Sequence, residues 1–168
     1  SVTSGDTGEA TVSTGTLTFT SGNWNSAQTV TVTGVDDSLV DGSQTTAATI
    51  SVVDASSDDD FDGIANQTVS ITTTNDDTAG FTVAISGGST SVAESGSTDT
   101  FTVVLNAQPA SNVVISVTSG DTGEATVSPG TLTFTSGNWN SAQTVTVTGV
   151  DDSLVDGSQT TAATISVV

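Results

Sequence analysis

The sequence contains no basic side chain. Lys, Arg and His are all absent from its 168 residues, against 19 Asp and Glu, for a formal net charge of -19. Nucleic-acid binding depends on cations that neutralise phosphates and release counterions, so that class of function is excluded. An anionic membrane surface would repel the chain for the same reason. Cys, Met and Tyr are absent as well. Without His, Cys, Lys or Tyr there is no Ser-His-Asp arrangement, no thiolate or amine nucleophile and no zinc site of the usual Cys/His type. No disulfide can form, so a small domain must find its stability elsewhere. No apolar run approaches the roughly 18 residues of a membrane span, so membrane insertion is not expected. The lack of Met leads us to expect a piece of a longer chain. Carboxylates, hydroxyls, amides and backbone carbonyls are left, and these are the ligands of calcium.

What is present points to strands. Thr and Ser together make 60 of the 168 residues. Thr and Val suit a pleated, half-buried surface, whereas strong helix formers are scarce. A composition this polar, with 33% hydrophobic residues, is compatible with disorder. The regular alternation of the apolar residues argues against it.

An internal repeat dominates the chain. Residues 1–53 recur at 116–168 with one change, Thr14 against Pro129. The offset of 115 residues is a common size for one domain. Because the polar stretch 74–80 precedes a new apolar run at Phe81, the expected division is 1–77, the end of one repeat, and 78–168, the start of the next. Period-two alternation then predicts about seven strands per repeat, near 81–86, 99–106, 112–118, 131–135, 143–149, 160–168 and 67–74. Turn residues (SGG, NAQP, SGD, SGN, DDS) separate them every 8–15 positions. The expected fold is all-β, an antiparallel two-sheet sandwich with apolar faces inward and Thr/Ser faces outward.

The carboxylates are concentrated in turns, where their mutual repulsion calls for a cation that the side chains cannot supply. The sharpest motif is Asp58-Asp59-Asp60-Phe61-Asp62-Gly63. Asp58, Asp60 and Asp62 have the alternate spacing of the front half of a calcium loop, and Gly63 permits the turn. The twelfth position is Val69 rather than Glu, so the segment is no EF-hand. A solvated acidic loop is the competing reading. The second set is VDDSLVDG, which supplies Asp36, Asp37 and Asp41 in the first copy and Asp151, Asp152 and Asp156 in the second, joined by Asp76 and Asp77. Asp pairs of this kind are also ordinary turn residues.

At Val92-Ala93-Glu94-Ser95, SPGTLTF (128–134), TVTVTGVDDSLVDG (144–157) and Asp76-Asp77, the sequence resembles Calx-beta repeats. These are calcium-binding, Ig-like sandwiches of sodium–calcium exchangers and of many large bacterial surface proteins. The resemblance spans the 115-residue period and implies a tandem Ig-like array. It also implies an ion site built from Glu94, Asp121 or Glu124, Asp151/Asp152 and Asp76/Asp77. Glu94 and Asp151/Asp152 belong to the second copy while Asp76/Asp77 close the first. Neither copy therefore carries the whole family set.

Near-identical copies supply length and spacing rather than diverse chemistry. The expected role is structural: a calcium-stabilised, extracellular or cell-surface stalk or filament of the adhesin type. Its partners would be neighbouring repeats or neighbouring chains in a polymer. The alternative is a calcium-dependent module that holds a glycan or protein, with a Trp of the SGNWNSAQ loops (Trp24, Trp139) stacking on a sugar; packing against the sandwich is the expected role of those Trp residues. An enzyme is not expected, because a small sandwich with short turns leaves little room for a shaped cleft.

Overall fold

A computed structural model describes residues 1–168. It contains twelve strands, three single-turn 3-10 segments and no α-helix. Every strand pairing is antiparallel. The chain forms two compact units, one of Ser1–Asp37 with Asp41–Asp76 and one of Ser38–Val40 with Asp77–Val168.

The second unit holds β6 (Phe81–Ile85), β7 (Thr98–Leu105), β8 (Val113–Ser119), β9 (Ala125–Ser128), β10 (Thr131–Phe134), β11 (Gln143–Gly149) and β12 (Ala163–Val167). They form a four-stranded sheet, β6-β7-β11-β9, and a three-stranded sheet, β10-β8-β12. One core joins the two sheets. Phe101, Val103 and Leu105 of β7 with Val145 and Val147 of β11 meet Ile115 and Val117 of β8 with Leu132 and Phe134 of β10. The alternation along β7 produces this directly: every second residue from Phe101 is buried, and the Thr and Val between them are half-buried. Burying each such side chain stabilises by about 1.5–3 kcal/mol. Trp139 packs against the same core, and its carbonyl accepts the Leu105 N–H at 3.1 Å.

Strand β9 lies outside the expected set. Its sequence, ATVS, offers only Ala125 as a buried residue, too weak an apolar signal to stand out. Pairing with β11, from Gly149↔Ala125 to Thr146↔Ser128, makes it a strand.

The first unit holds β1 (Val2–Ser4), β2 (Ala10–Val12), β3 (Val32–Gly34), β4 (Gln44–Ile50) and β5 (Gln67–Thr73). Its sheets are β1-β4-β5 and β2-β3. Residues 1–53 repeat 116–168 apart from Thr14, yet β2 and β3 are shorter than their copies β9 and β11, whereas β4 is longer than its copy β12. Gln143–Gly149 is strand throughout, whereas its copy is strand only at Val32–Gly34. Val30 was expected within that strand and is outside it. Residues 16–19, the copy of β10, form no strand. Within residues 1–168 the first unit contains no pair of strands like β6 and β7, so this segment has no such backbone partners or opposing apolar surface there. Trp24 shows the same effect. It is 71% exposed rather than packed as expected, although its loop is identical to that of Trp139.

Candidate metal centre

Two acidic triads occur, Glu9/Asp37/Asp41 and Glu124/Asp152/Asp156, each with one carboxylate oxygen per residue lying within 4.8 Å of the others. They occupy the same positions of the two copies. Strand register explains the convergence. In the second unit Gly149 faces Ala125 at the end of the β9–β11 ladder. The next residues outward, Glu124 and Val150, remain tied by a Val150 N–H to Glu124 carbonyl bond of 2.9 Å. Asp152 therefore emerges beside Glu124. In the first unit Gly34 faces Ala10, and the Val35 N–H donates to the Glu9 carbonyl at 2.9 Å.

Local turns hold the acids in place. The Gly123 N–H donates to Asp121 Oδ1 at 2.9 Å, and the Gly8 N–H does the same to Asp6 Oδ1 at 2.9 Å. These are Asx turns, the ordinary use of Asp ahead of Gly. Asp152 Oδ1 accepts the Leu154 N–H at 2.7 Å. The loop then reverses at Gly157 with φ of 78°, as its copy does at Gly42 with φ of 79°, a region where glycine carries no steric penalty. Gln44 Nε2 donates to Asp41 Oδ2 at 2.9 Å.

The field at each triad is uniformly negative. Partial burial raises the Glu124 carboxyl above its ordinary value of 4.5, and Asp156, Asp152, Asp121 and Glu94 push it further in that order. Glu9 is raised in the same way, first by partial burial and then by Asp41, Asp37 and Asp6. No Lys, Arg or His exists to relieve either site. Each triad can hold a metal ion.

The structure sorts the sequence candidates. Asp37, Asp41, Glu124, Asp152 and Asp156 converge in the triads, whereas Asp36 and Asp151, one residue earlier in each loop, do not. Glu94 and Asp121 act on Glu124 through their charge without joining its triad. Asp58, Asp60 and Asp62 form no such group. Asp58 instead caps the short 3-10 turn Asp59–Phe61, accepting the Asp60 N–H at 3.1 Å. Asp62 Oδ1 is shielded from solvent without a hydrogen-bond partner. Asp76 and Asp77 follow β5 and join neither triad. Glu9 was absent from the sequence candidates, although the repeat equates it with Glu124.

No helix of the chain is long and apolar enough to cross a membrane. No protein-family model and no curated protein sequence matches the chain.

Proposed function

We propose that the chain is a calcium-stabilised structural segment of an extracellular stalk or filament, built from tandem Ig-like sandwiches of the Calx-beta type. The observation that carries this reading is the recurrence of one acidic triad at the same place in both copies, despite their different surroundings. Calcium takes six to eight oxygen ligands at about 2.3–2.6 Å. Oxygens on opposite sides of such an ion are therefore about 5 Å apart, which matches triads whose oxygens lie within 4.8 Å of one another. Backbone carbonyls and water would complete the shell. Oxygen-only loops, without a strict octahedral arrangement, suit calcium better than magnesium.

An ion bound only by the folded form stabilises by mass action, by about 2.7 kcal/mol at one hundred times its dissociation constant. Weak sites of this kind fill at the millimolar calcium found outside cells. The chain would thus be stiffened after export, and exact repetition would supply length. Thermal melts in calcium, in magnesium and in chelator test the reading. A midpoint raised by calcium, beyond the effect of sodium chloride at equal ionic strength, is the expected result. An identical midpoint in calcium and chelator would reduce the acids to a solubilising coat. Small-angle scattering of a chain of several repeats tests the stalk, where a compact profile would refute it.

A further inference from the structure

Three Asp-Gly pairs occur in the chain, Asp41-Gly42, Asp62-Gly63 and Asp156-Gly157. This dipeptide has a reaction of its own. The glycine nitrogen, with no side chain to crowd it, attacks the preceding side-chain carboxyl carbon and closes a five-membered ring. In a folded chain the attack needs an open approach over the glycine, an amide that no acceptor holds, and a backbone free to bring nitrogen and carbon together.

The first and last pairs meet these conditions. Asp41, Gly42, Asp156 and Gly157 are all exposed. A Cβ at either glycine would meet no atom within 4 Å. Both glycines lie in the left-handed region, with φ of 79° and 78°, in loops rather than strands. Neither amide N–H donates a backbone hydrogen bond. Gln44 Nε2 donates to Asp41 Oδ2 at 2.9 Å and to the Asp41 carbonyl at 3.2 Å, which gathers the carboxylate and the Asp41–Gly42 peptide to one side. Gln159 Nε2 donates to the Asp156 carbonyl at 3.1 Å. The openness is a property of the loop and not of its surroundings. The first unit includes β5 and the second includes β6 and β7, yet the two glycines agree closely.

The middle pair is the contrast. Gly63 is equally open, but the 3-10 turn brackets its peptide. The Asp62 N–H donates to the Asp59 carbonyl at 3.3 Å, and the Ile64 N–H donates to the Phe61 carbonyl at 3.1 Å. Asp62 is held at φ of -59° and ψ of -33°, and its Oδ1 is shielded from solvent.

We propose that Asp41-Gly42 and Asp156-Gly157 are sites of spontaneous isomerisation to isoaspartate, and that this change dismantles the acidic triads. The Gly42 nitrogen bonds to Asp41 Cγ and loses its proton. One carboxylate oxygen leaves, and with that proton and one from solvent it departs as water. Water then opens the ring at either carbonyl. Attack at Cγ restores Asp. Attack at the main-chain carbonyl breaks its bond to the Gly42 nitrogen, so the chain runs through Cγ and a carboxylate sits directly on Cα. One water is lost and one is regained, and no other reactant is needed. The main chain gains a carbon and the carboxylate loses its methylene arm. It therefore leaves the arrangement in which the three acids bring their oxygens within 4.8 Å of one another. A calcium ion on the triad would hold the reacting oxygens in place. That protection rests on the calcium reading, whereas the isomerisation itself does not.

Peptide mapping of the aged full chain tests the proposal. The chain is kept for weeks at neutral pH and physiological temperature, in chelator and in calcium, with a sample in urea as the unfolded control. Chymotrypsin, cleaving after Leu39, Phe61 and Leu154, places the three pairs on different peptides. Labelling by isoaspartate methyltransferase then reports the isoaspartate in each. In chelator the folded chain should carry several-fold more at positions 41 and 156 than at 62, while in urea the three should converge. Asp41→Glu, which would need a six-membered ring, should silence position 41 and leave 156 unchanged. The proposal is overturned if the folded chain accumulates no isoaspartate at 41 and 156, or if position 62 keeps pace with them. Calcium should slow the reaction at 41 and 156. Isomerisation there that calcium fails to slow would support the proposal and count against the calcium reading.

Discussion

Phe19 and Phe134 occupy the same position of the same TLTF segment, yet Phe134 is wholly buried and Phe19 is 52% exposed. Neither the residue nor its neighbours in sequence account for the difference. Phe134 closes β10, which pairs with β8 from Thr131↔Ser116 to Phe134↔Val113, and it packs into the core shared with β7 and β11. Among residues 1–168 no strands like β6 and β7 cover Phe19, and the backbone around it forms no strand.

The two Phe residues should respond differently to truncation. Phe134→Ala leaves a cavity at the centre of the second unit and should destabilise it by about 3–5 kcal/mol. Phe19→Ala removes a largely solvated ring and should change stability by no more than about 0.5 kcal/mol. Urea denaturation of both variants, followed by hydrogen exchange resolved to each unit, measures the contrast.

Gly149 and Gly34 form a second such pair. A Cβ at Gly149 would collide with the backbone carbonyl of Ala93, whereas one at Gly34 meets only the Thr73 methyl at 3.5 Å. Gly149→Ala should therefore destabilise the second unit by about 1–3 kcal/mol or more. Gly34→Ala should be neutral, or stabilise by about 0.5–1 kcal/mol through the entropy that glycine loses in a strand. Opposite signs in thermal melts are the expected outcome, and equal losses would contradict the close approach of Ala93.

Within the acidic loop, adjacent residues should separate cleanly. Asp152→Asn removes a triad carboxylate and should abolish the calcium response of the second unit. Asp151→Asn should retain it, since Asp151 lies outside the triad. In chelator, Asp152→Asn should melt at the same temperature as the unmodified chain or higher, because like-charge repulsion is relieved. Calorimetric titration with calcium, paired with melts, reads both effects.

The pH dependence has a definite sign. Glu9 and Glu124 bind protons more tightly in the folded form than their ordinary value of 4.5 would allow. Their contribution to stability is complete below that value and is lost as pH rises through the elevated folded pKa. In chelator, the melting midpoint should fall as pH rises above 4.5. Calcium needs the deprotonated carboxylates and should flatten or reverse the trend. Glu9→Gln with Glu124→Gln should remove much of the slope in chelator. An unchanged slope would assign it to the general charge of the chain.

The all-β fold and the expected strands near 67–74, 81–86, 99–106, 112–118, 131–135, 143–149 and 160–168 were legible because apolar alternation at period two survives in the sequence. β9 was not, since one buried Ala and one half-buried Val carry no periodic signal. The acidic loops were legible as loops. Their convergence was only partly so: spacing cannot say that Asp152 reaches Glu124 while Asp151 does not, because that follows from the Gly149↔Ala125 register. The alternating Asp58, Asp60 and Asp62 made the stronger motif, yet a 3-10 turn spends the Asp58 side chain on a cap.

The two copies separate local from tertiary causes. Several hydrogen bonds that close locally recur in both copies, where the sequence alone determines the structure. Asn23 Oδ1 accepts the Thr20 N–H at 2.5 Å as Asn138 Oδ1 accepts that of Thr135 at 2.6 Å. Gln28 and Gln143 each donate to the carbonyl ten residues earlier, Thr18 and Thr133, at 2.8 Å. The Asx turns at Asp6 and Asp121 and the reversals at Gly42 and Gly157 match as well. Strand length and burial do not match, because a strand needs backbone partners distant in sequence and a side chain is buried only when a facing surface covers it. Within residues 1–168 those partners are β6 and β7 for the second copy and β5 for the first, and neither the periodicity nor the spacing of the segment itself reports the pairing.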